Sequence, residues 1–186
     1  MDINIRNIQI KTSRLLLRSW MDSDLADFFA YASMPAVGEM AGWKPHETID
    51  EARVFFRGDY FKNECLALYH LADKKAIGAI GLHSSWASDH AKYRHLRCAD
   101  LGYALHPNYW GNGLVFEASE ALIKFAFDHM DIDALTCNHF AENTRSRRVI
   151  EKNGFTFDHE TEVYAPELDK HFRHMRYILY KNCPAN

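Results

Sequence analysis

Apolar and polar positions alternate at the start of the chain. In "IQIKTSRLLLRSW" (residues 8–20), Leu15 and Leu17 share one face while Arg14, Leu16 and Arg18 share the other, which predicts a strand. The period then changes. In "DSDLADFFAYAS", Leu25, Phe28 and Phe29 fall at helical spacing behind Asp22, a suitable N-cap. "MPAVGEMAGWKPHE", with two prolines and two glycines, predicts a loop, though one too rich in Met and Trp for a plain solvated linker. Thr48 opens a second helix, with Thr48-x-x-Glu51 as a capping box and Val54, Phe55 and Tyr60 on a packed face. "ECLALYHLAD" and "KKAIGAIGLHS" predict two strands joined at Asp73-Lys74-Lys75, "SDHAKYRH" a polar loop, and "LRCADLGYALHP" a strand stopped by Pro107.

A long helix follows over residues 111–129, where Leu114, Ala118, Leu122 and Phe125 form one apolar stripe. "DALTCNHF" predicts a short strand. "NTRSRRVIEKNG" predicts a short helix between the N-cap Asn143 and the stop Asn153-Gly154. "FTFDHETEVYAP" and "DKHFRHMRYILYK" predict two closing strands, whose exposed edges would allow pairing into a homodimer. Helices interleave with strands, yet strands also run consecutively. That order implies an α/β or α+β fold of three layers around a mixed sheet of about seven strands. With no repeat and no Gly/Ser- or Pro-rich linker, residues 1–186 are expected to form a single domain.

Composition narrows the function. Hydrophobic residues make up 47% of the 186 and charged residues 25%, ordinary for a globular protein with a sizeable core. A net charge of -3 argues against nucleic acid as a partner. No apolar run approaches the ~18 residues of a membrane span. Cys65, Cys98, Cys137 and Cys183 are widely spaced without a CxxC, as expected of reduced thiols in a cytoplasmic protein.

Gly111 and Gly113 stand between a predicted strand and a predicted helix. They fit either a tight turn or a backbone cradle for an anion at the positive helix end. A Walker A loop needs Lys-Ser/Thr after the last glycine, but Leu114-Val115 follow. A dinucleotide fingerprint needs a small residue three positions after Gly113, but Phe116 stands there.

A third pattern does match. "TSRLLLR", "DLGYALHPNYWGNG" and "AENTRSRRVIEKNGF" occur in this order, and the sequence resembles a GNAT-superfamily N-acetyltransferase of the RimJ/RimL-like branch. In that branch the middle block commonly reads E-L-G-Y-x-L-x-P-x-Y-W-G-x-G. Asp100 replaces its Glu, Asn108 stands where the superfamily often has Gln or Arg, and Val115 stands where Ala is common. The resemblance implies a GNAT-like α/β/α fold, its sheet splayed at the centre between the strands near 96–105 and 133–139. Acetyl-CoA would lie in the gap as co-substrate, its pyrophosphate on backbone N–H groups of Trp110, Gly111, Asn112, Gly113 and Leu114.

The resemblance also implies roles. A backbone N–H near Leu105 would polarise the acetyl carbonyl, Asn143 would hold the pantetheine arm besides capping its helix, and Ser146 would protonate the departing thiolate. Arg148 would steer the CoA phosphates. Glu39 and Asp100 are the candidates for taking the amine proton, and Met40 and Trp43 would wall the acceptor pocket. The acceptor is expected to be a primary amine, either a protein N-terminus or a small amine. His171-x-x-His174 in a strand points two rings to opposite faces; acetyl transfer calls for no metal, and none is expected. Two other readings remain open: a non-catalytic acyl-CoA-binding or sensor domain, and a nucleotide-binding protein.

Overall fold

The computed structural model describes residues 3–181. The first predicted strand is a tight hairpin. β1 (Ile10–Lys11) pairs antiparallel with β2 (Leu15–Arg18), Ile10 lying against Leu17. Thr12 closes the turn, because its N–H donates to the Leu15 carbonyl (2.9 Å) and its Oγ1 receives the Leu15 N–H (3.0 Å). Leu15 and Leu17 are fully buried, as their alternation requires.

Asp22 is exposed in a short turn before α1 (Leu25–Ala32) and caps nothing. The buried Asp24 takes over. It accepts the Met21 N–H (2.9 Å) and both terminal nitrogens of Arg18 (2.7 and 2.9 Å). The predicted loop contains a helix, α2 (Pro35–Ala41). Pro35 occupies the first turn, where a missing N–H costs nothing, and Gly42 ends the helix at φ 88°.

Thr48 caps α3 (Ile49–Phe56) by accepting the Glu51 N–H (3.2 Å). The Glu51 carboxylate reaches back to Glu47 (2.8 Å), so the capping box is offset by one residue. This helix buries Ala52 and Phe56, four apart, and turns Val54 outward; Phe55 is partly exposed but packs on Phe28 and Phe61, and the Tyr60 side chain lies outside the described ones. α4 (Asp59–Glu64) leads into β3 (Cys65–His70) and β4 (Lys75–Ser84). A short 3-10 turn at Trp86–Asp89 leads into the expected polar loop, which holds a buried Tyr93 packed edge-to-face on Trp86.

Then come β5 (Cys98–Leu105), α5 (Leu114–His129), β6 (Ala134–Phe140), α6 (Thr144–Lys152), β7 (Thr156–Ala165) and β8 (Lys170–Tyr180). The α5 stripe passes through Leu114, Ala118, Leu122 and Ala126, leaving Phe125 half-buried at its side. The sheet has eight strands in the order β1-β2-β3-β4-β5-β6-β8-β7. Among the described residues only β5 and β6 pair in parallel. β8 is therefore internal, and of the last two strands only β7 offers an edge.

Helices cover both faces, which gives the three-layer α/β/α arrangement. On one side Ile80, Leu82, Leu101 and Leu105 meet Leu114 and Leu122 of α5. On the other, Phe28, Val37, Phe56 and Phe61 from α1–α4 meet Cys65 and Ala104. Each fully buried leucine here is worth about 1.5–3 kcal/mol relative to exposure. Cys65, Cys98 and Cys137 are free and buried, and Cys183 lies outside the described residues. Among the described residues no helix is long and apolar enough to cross a membrane.

Candidate active site

The sheet opens at its one parallel junction. Pairing between β5 and β6 stops after Cys98↔Ala134, Ala99↔Leu135 and Asp100↔Thr136. Beyond Asp100 the strands diverge around a cleft of about 1080 Å³ that reaches both faces of the sheet. Hydrogen bonding on the other side of β5 fixes what its backbone presents. His106 donates to the Ile77 carbonyl (2.8 Å), in register with Gly78↔Leu105. Antiparallel rungs alternate between hydrogen-bonded and open pairs, so Leu101, Tyr103 and Leu105 turn their N–H and C=O groups away from β4. They face the gap. The Cys137 thiol donates to the Leu101 carbonyl from across it (3.1 Å).

At one mouth the chain runs through the glycine turn. Gly111 and Gly113 have φ of 78° and 72°, a region that disfavours other side chains, so the turn is a real requirement. A Cβ at Gly111 would meet nothing within 4 Å, so the turn borders open space. The Asn112 side chain donates to the Tyr109 and Trp110 carbonyls (3.3 Å each) and faces away from the cleft. Trp110 folds back, its Nε1 donating to the Leu105 carbonyl (2.8 Å).

The turn is braced by the first sequence block. Glu117, in the first turn of α5, accepts from Thr12 Oγ1 (2.6 Å), Ser13 Oγ (2.9 Å), the Arg14 N–H (2.9 Å) and Arg14 Nε (2.7 Å). Burial raises the carboxyl pKa, but these donors outweigh it and hold the group down at about 2. The same arginine donates from Nη1 to the Asn112 carbonyl (2.8 Å).

α6 lines the same mouth. Asn143 caps it by accepting the Ser146 N–H (3.1 Å), and its amide donates across the cleft to the Met40 carbonyl (3.3 Å). Ser146 Oγ lies 2.8 Å from the Tyr103 hydroxyl. Burial, then the nearby Cys137, pushes the Tyr103 pKa well up against the opposing pull of Ser146, so the phenol stays protonated. Arg148 borders the cleft, and so does Arg145, whose guanidinium stacks 4.0 Å from the Trp110 ring centre.

Toward the α1–α4 face, Met40 and Trp43 line the cleft. Glu39 does not. It is exposed on α2, and the ~100° step of a helix turns it away from Met40. Asp100 stands at the apex of the gap, with one oxygen taken by the Thr136 hydroxyl and the other by the Asn138 amide (3.1 Å). Burial raises its pKa, and Thr136, His83, Asn138 and Arg176 pull the other way. His171 is exposed against Glu162 (2.8 Å), whereas His174, on the opposite face, borders the cleft. Burial, then Arg176 and His139, lowers the His174 pKa to about 4. Among the described residues no three His, Cys, Asp or Glu side chains gather as a metal site would require.

Every predicted site position except Glu39 and Asn112 borders this one cleft. A family model described as an acetyltransferase (GNAT) domain matches residues 14–156. The chain belongs to that family. Among its curated relatives, the N-acetyltransferase YoaA of Bacillus subtilis (strain 168) is 28% identical over 151 residues, covering 78% of this chain and 81% of that protein. The [ribosomal protein uS5]-alanine N-acetyltransferase of Escherichia coli (strain K12) is 26% identical over 178 residues, covering 88% and 84%. A solved GNAT-family acetyltransferase from Bacillus anthracis superposes with a TM-score of 0.81 at 21% identity, covering 95% of this chain and 100% of that one.

Within this GNAT domain the sequence reading missed Tyr103, Arg145, Glu117 and the side chains of His83 and Glu64. Two of these had a signal. Tyr103 is the tyrosine of "DLGY", and "TSR" is the set of donors that Glu117 collects. His83 and Glu64 meet only through the strand pairing of β3 and β4.

Proposed function

We propose that this GNAT domain transfers the acetyl group of acetyl-CoA to a primary amine. The observation that carries the reading is the open β5–β6 junction, with backbone N–H groups turned into it and a glycine turn at its mouth. Leu105 N–H would polarise the thioester carbonyl as the amine nitrogen attacks and the C–S bond breaks. The backbone of Trp110–Leu114 and the positive end of α5 would receive the pyrophosphate, with charge from Arg148 and Arg145 beside it. Asn143 would hold the pantetheine arm. Ser146 would give its proton to the leaving sulfur and recover one from Tyr103. A thiol of pKa ~8.5 demands little driving force, so loss of Ser146 should slow transfer and leave a residual rate.

Asp100, with both oxygens engaged, would supply negative potential at the apex and leave proton removal to another group. Met40 and Trp43 would wall the acceptor. The relative acting on the alanine of ribosomal protein uS5 supports a RimJ/RimL-like assignment and a protein N-terminus as acceptor, with a small amine as the alternative.

The test is thiol release from acetyl-CoA with a panel of amines, including N-terminal peptides of ribosomal proteins and polyamines. Release matched one-to-one by acetylated amine supports the reading. Calorimetric binding of acetyl-CoA without release by any amine would instead make the chain a non-catalytic acyl-CoA-binding domain.

A further inference from the structure

We propose that the α1–α4 half of the cleft is an aromatic slot, and that the acceptor is an amine whose nitrogen stands two carbons from an aromatic ring. Free arylalkylamines and peptides beginning with an aromatic residue share that chemistry. The proposal deepens the acetyl-transfer reading and rests on it.

The wall of this half is aromatic. Phe55 of α3 borders the cleft and is 46% exposed. It is held in place, because its ring lies parallel to Phe28 with centres 6.0 Å apart and leans on Phe61 at 5.1 Å. The His46 ring centre is 5.8 Å from both Phe28 and Phe55. Burial lowers its pKa against the pull of Glu51 and Glu167, so at pH 7 it is a neutral ring among the others. Tyr31, Met40 and Trp43 continue the wall.

The floor is smooth. Rung Ala79↔Ala104 lies on this face of the sheet, where Ala104 packs with the same aromatic group. Over the next rung, Gly81↔Gly102, lies the His83 ring, 3.0 Å from where a Cβ on Gly102 would stand. Two methyl groups and a planar imidazole make a surface that a flat ring can lie against, with Phe55 available for ring–ring contact.

The carboxylates of this half are engaged in holding the structure. Glu51 accepts the Glu47 N–H (2.8 Å), Glu167 accepts the Lys44 N–H (3.1 Å), and Asp100 binds Thr136 and Asn138. An apolar body is therefore better served here than the distal ammonium of a polyamine. The slot is continuous with the gap that Leu105 borders, in one cavity of about 1080 Å³. That exceeds the ~300–1,000 Å³ usual for one small ligand and leaves room for an acceptor beside the pantetheine arm. Whatever fills the slot is thus attached to the amine nitrogen.

The experiment measures kcat/KM for acetyl transfer to two matched pairs, each differing by one phenyl group: β-phenylethylamine against ethylamine, and a phenylalanine-initiated against an alanine-initiated peptide. Spermidine and n-hexylamine complete the set. We expect the phenyl group to raise kcat/KM about 10- to 100-fold. A preference in one pair alone supports the slot and identifies the source of the ring as free amine or peptide. A ratio within about threefold in both pairs overturns the proposal. So does spermidine exceeding both aromatic probes, or n-hexylamine equalling β-phenylethylamine. Phe55→Ala removes part of the wall and Ala104→Leu raises the floor, and each should bring the phenyl ratio down about tenfold. The ratio is taken within one protein, so a loss of folded fraction cancels, and a wild-type ratio in both variants overturns the site. If wild type transfers to no amine, the acetyl-transfer reading falls, and calorimetry with CoA-saturated protein decides the slot separately. Binding of β-phenylethylamine but not ethylamine, weakened by Phe55→Ala, supports it; no binding of β-phenylethylamine overturns it.

Discussion

Glu117 is the residue through which the first strand supports the glycine turn, and its removal has a calculable cost. Four donors converge on its carboxylate from Thr12, Ser13 and Arg14, and Arg14 in turn holds the Asn112 carbonyl. A fall in pKa from 4.5 to about 2 corresponds to about 3.4 kcal/mol at ~1.36 kcal/mol per pH unit. Arg14 is 45% exposed, so screening reduces the contribution to about 1–2 kcal/mol. Glu117→Gln keeps the shape and one acceptor but loses the charge. At about 2–4 °C per kcal/mol for a chain of this size, its Tm should fall by about 2–8 °C at pH 7. The pH dependence has a definite sign. A depressed carboxyl pKa contributes stability above the unfolded value of 4.5, and this is lost as pH falls toward 2. Calorimetric melts of both proteins from pH 7 to 4 should show the gap in Tm shrinking below about pH 5. A gap under about 1 °C at pH 7, or one that widens on acidification, would refute the argument.

Other substitutions probe separate parts of the molecule. Asp24→Ala leaves the Arg18 guanidinium buried without its bidentate partner and should cost about 3–5 kcal/mol in urea unfolding; a loss under about 1 kcal/mol means the pair is not structural. Gly113→Ala forces a side chain to φ 72° and should cost about 1 kcal/mol in stability while weakening acetyl-CoA binding by about tenfold in calorimetry. Tyr103→Phe removes the hydroxyl 2.8 Å from Ser146 and should lower kcat by about tenfold with acetyl-CoA KM unchanged; equal kcat would remove Tyr103 from the proton path. His174, its pKa lowered to about 4, should stay neutral down to about pH 5 in an NMR titration. The unfolded imidazole takes up a proton below its ordinary 6.5 while the folded one stays neutral, so stability falls as pH drops from 6.5 to about 4 and levels off below that.

The sequence shows most clearly what one element's own residues decide. The alternation of Leu15 and Leu17, the caps Thr48 and Asn143, and the α5 stripe as far as Leu122 are present as expected, with Ala126 rather than Phe125 continuing the stripe. α2 was hidden because its seven residues are too few for a helical repeat. Pro35 and Gly42, which looked like breakers, are its first-turn residue and its terminator. Val54 misled because hydrophobicity alone does not say which face an eight-residue helix buries; Ala52 and Phe56, one turn apart, take that face, with Phe55 at its edge against Phe28 and Phe61. In the site, the glycine turn and α6 were legible because each is a contiguous motif. Glu39 was not rejected from sequence, since its outward orientation exists only once α2 is helical. The Glu64–His83 contact depends on β3–β4 register and has no local signature.

That dependence on register runs through the whole site. Along β5 the side chains alternate with a period of two. Tyr103 reaches Ser146 on the α6 side, and Leu101 and Leu105 join the α5 core. Asp100 and Gly102 meet His83 on the opposite face, and Ala104 packs with the α1 aromatics. Ladder hydrogen bonds alternate in the same step, so the residues that face α5 and α6 are also those whose N–H groups enter the gap. On the proposed reading, one strand would set the thiolate side, the amine side and the carbonyl-polarising backbone together. A slip of one residue between β4 and β5 would exchange all three at once. The long β4–β5 ladder, seven rungs from Gly78↔Leu105 to Ser84↔Ala99, makes that slip costly, while β6 on the other side is released after three. The chemistry is therefore held by the side of β5 that stays paired, and the side that opens is free to admit substrate.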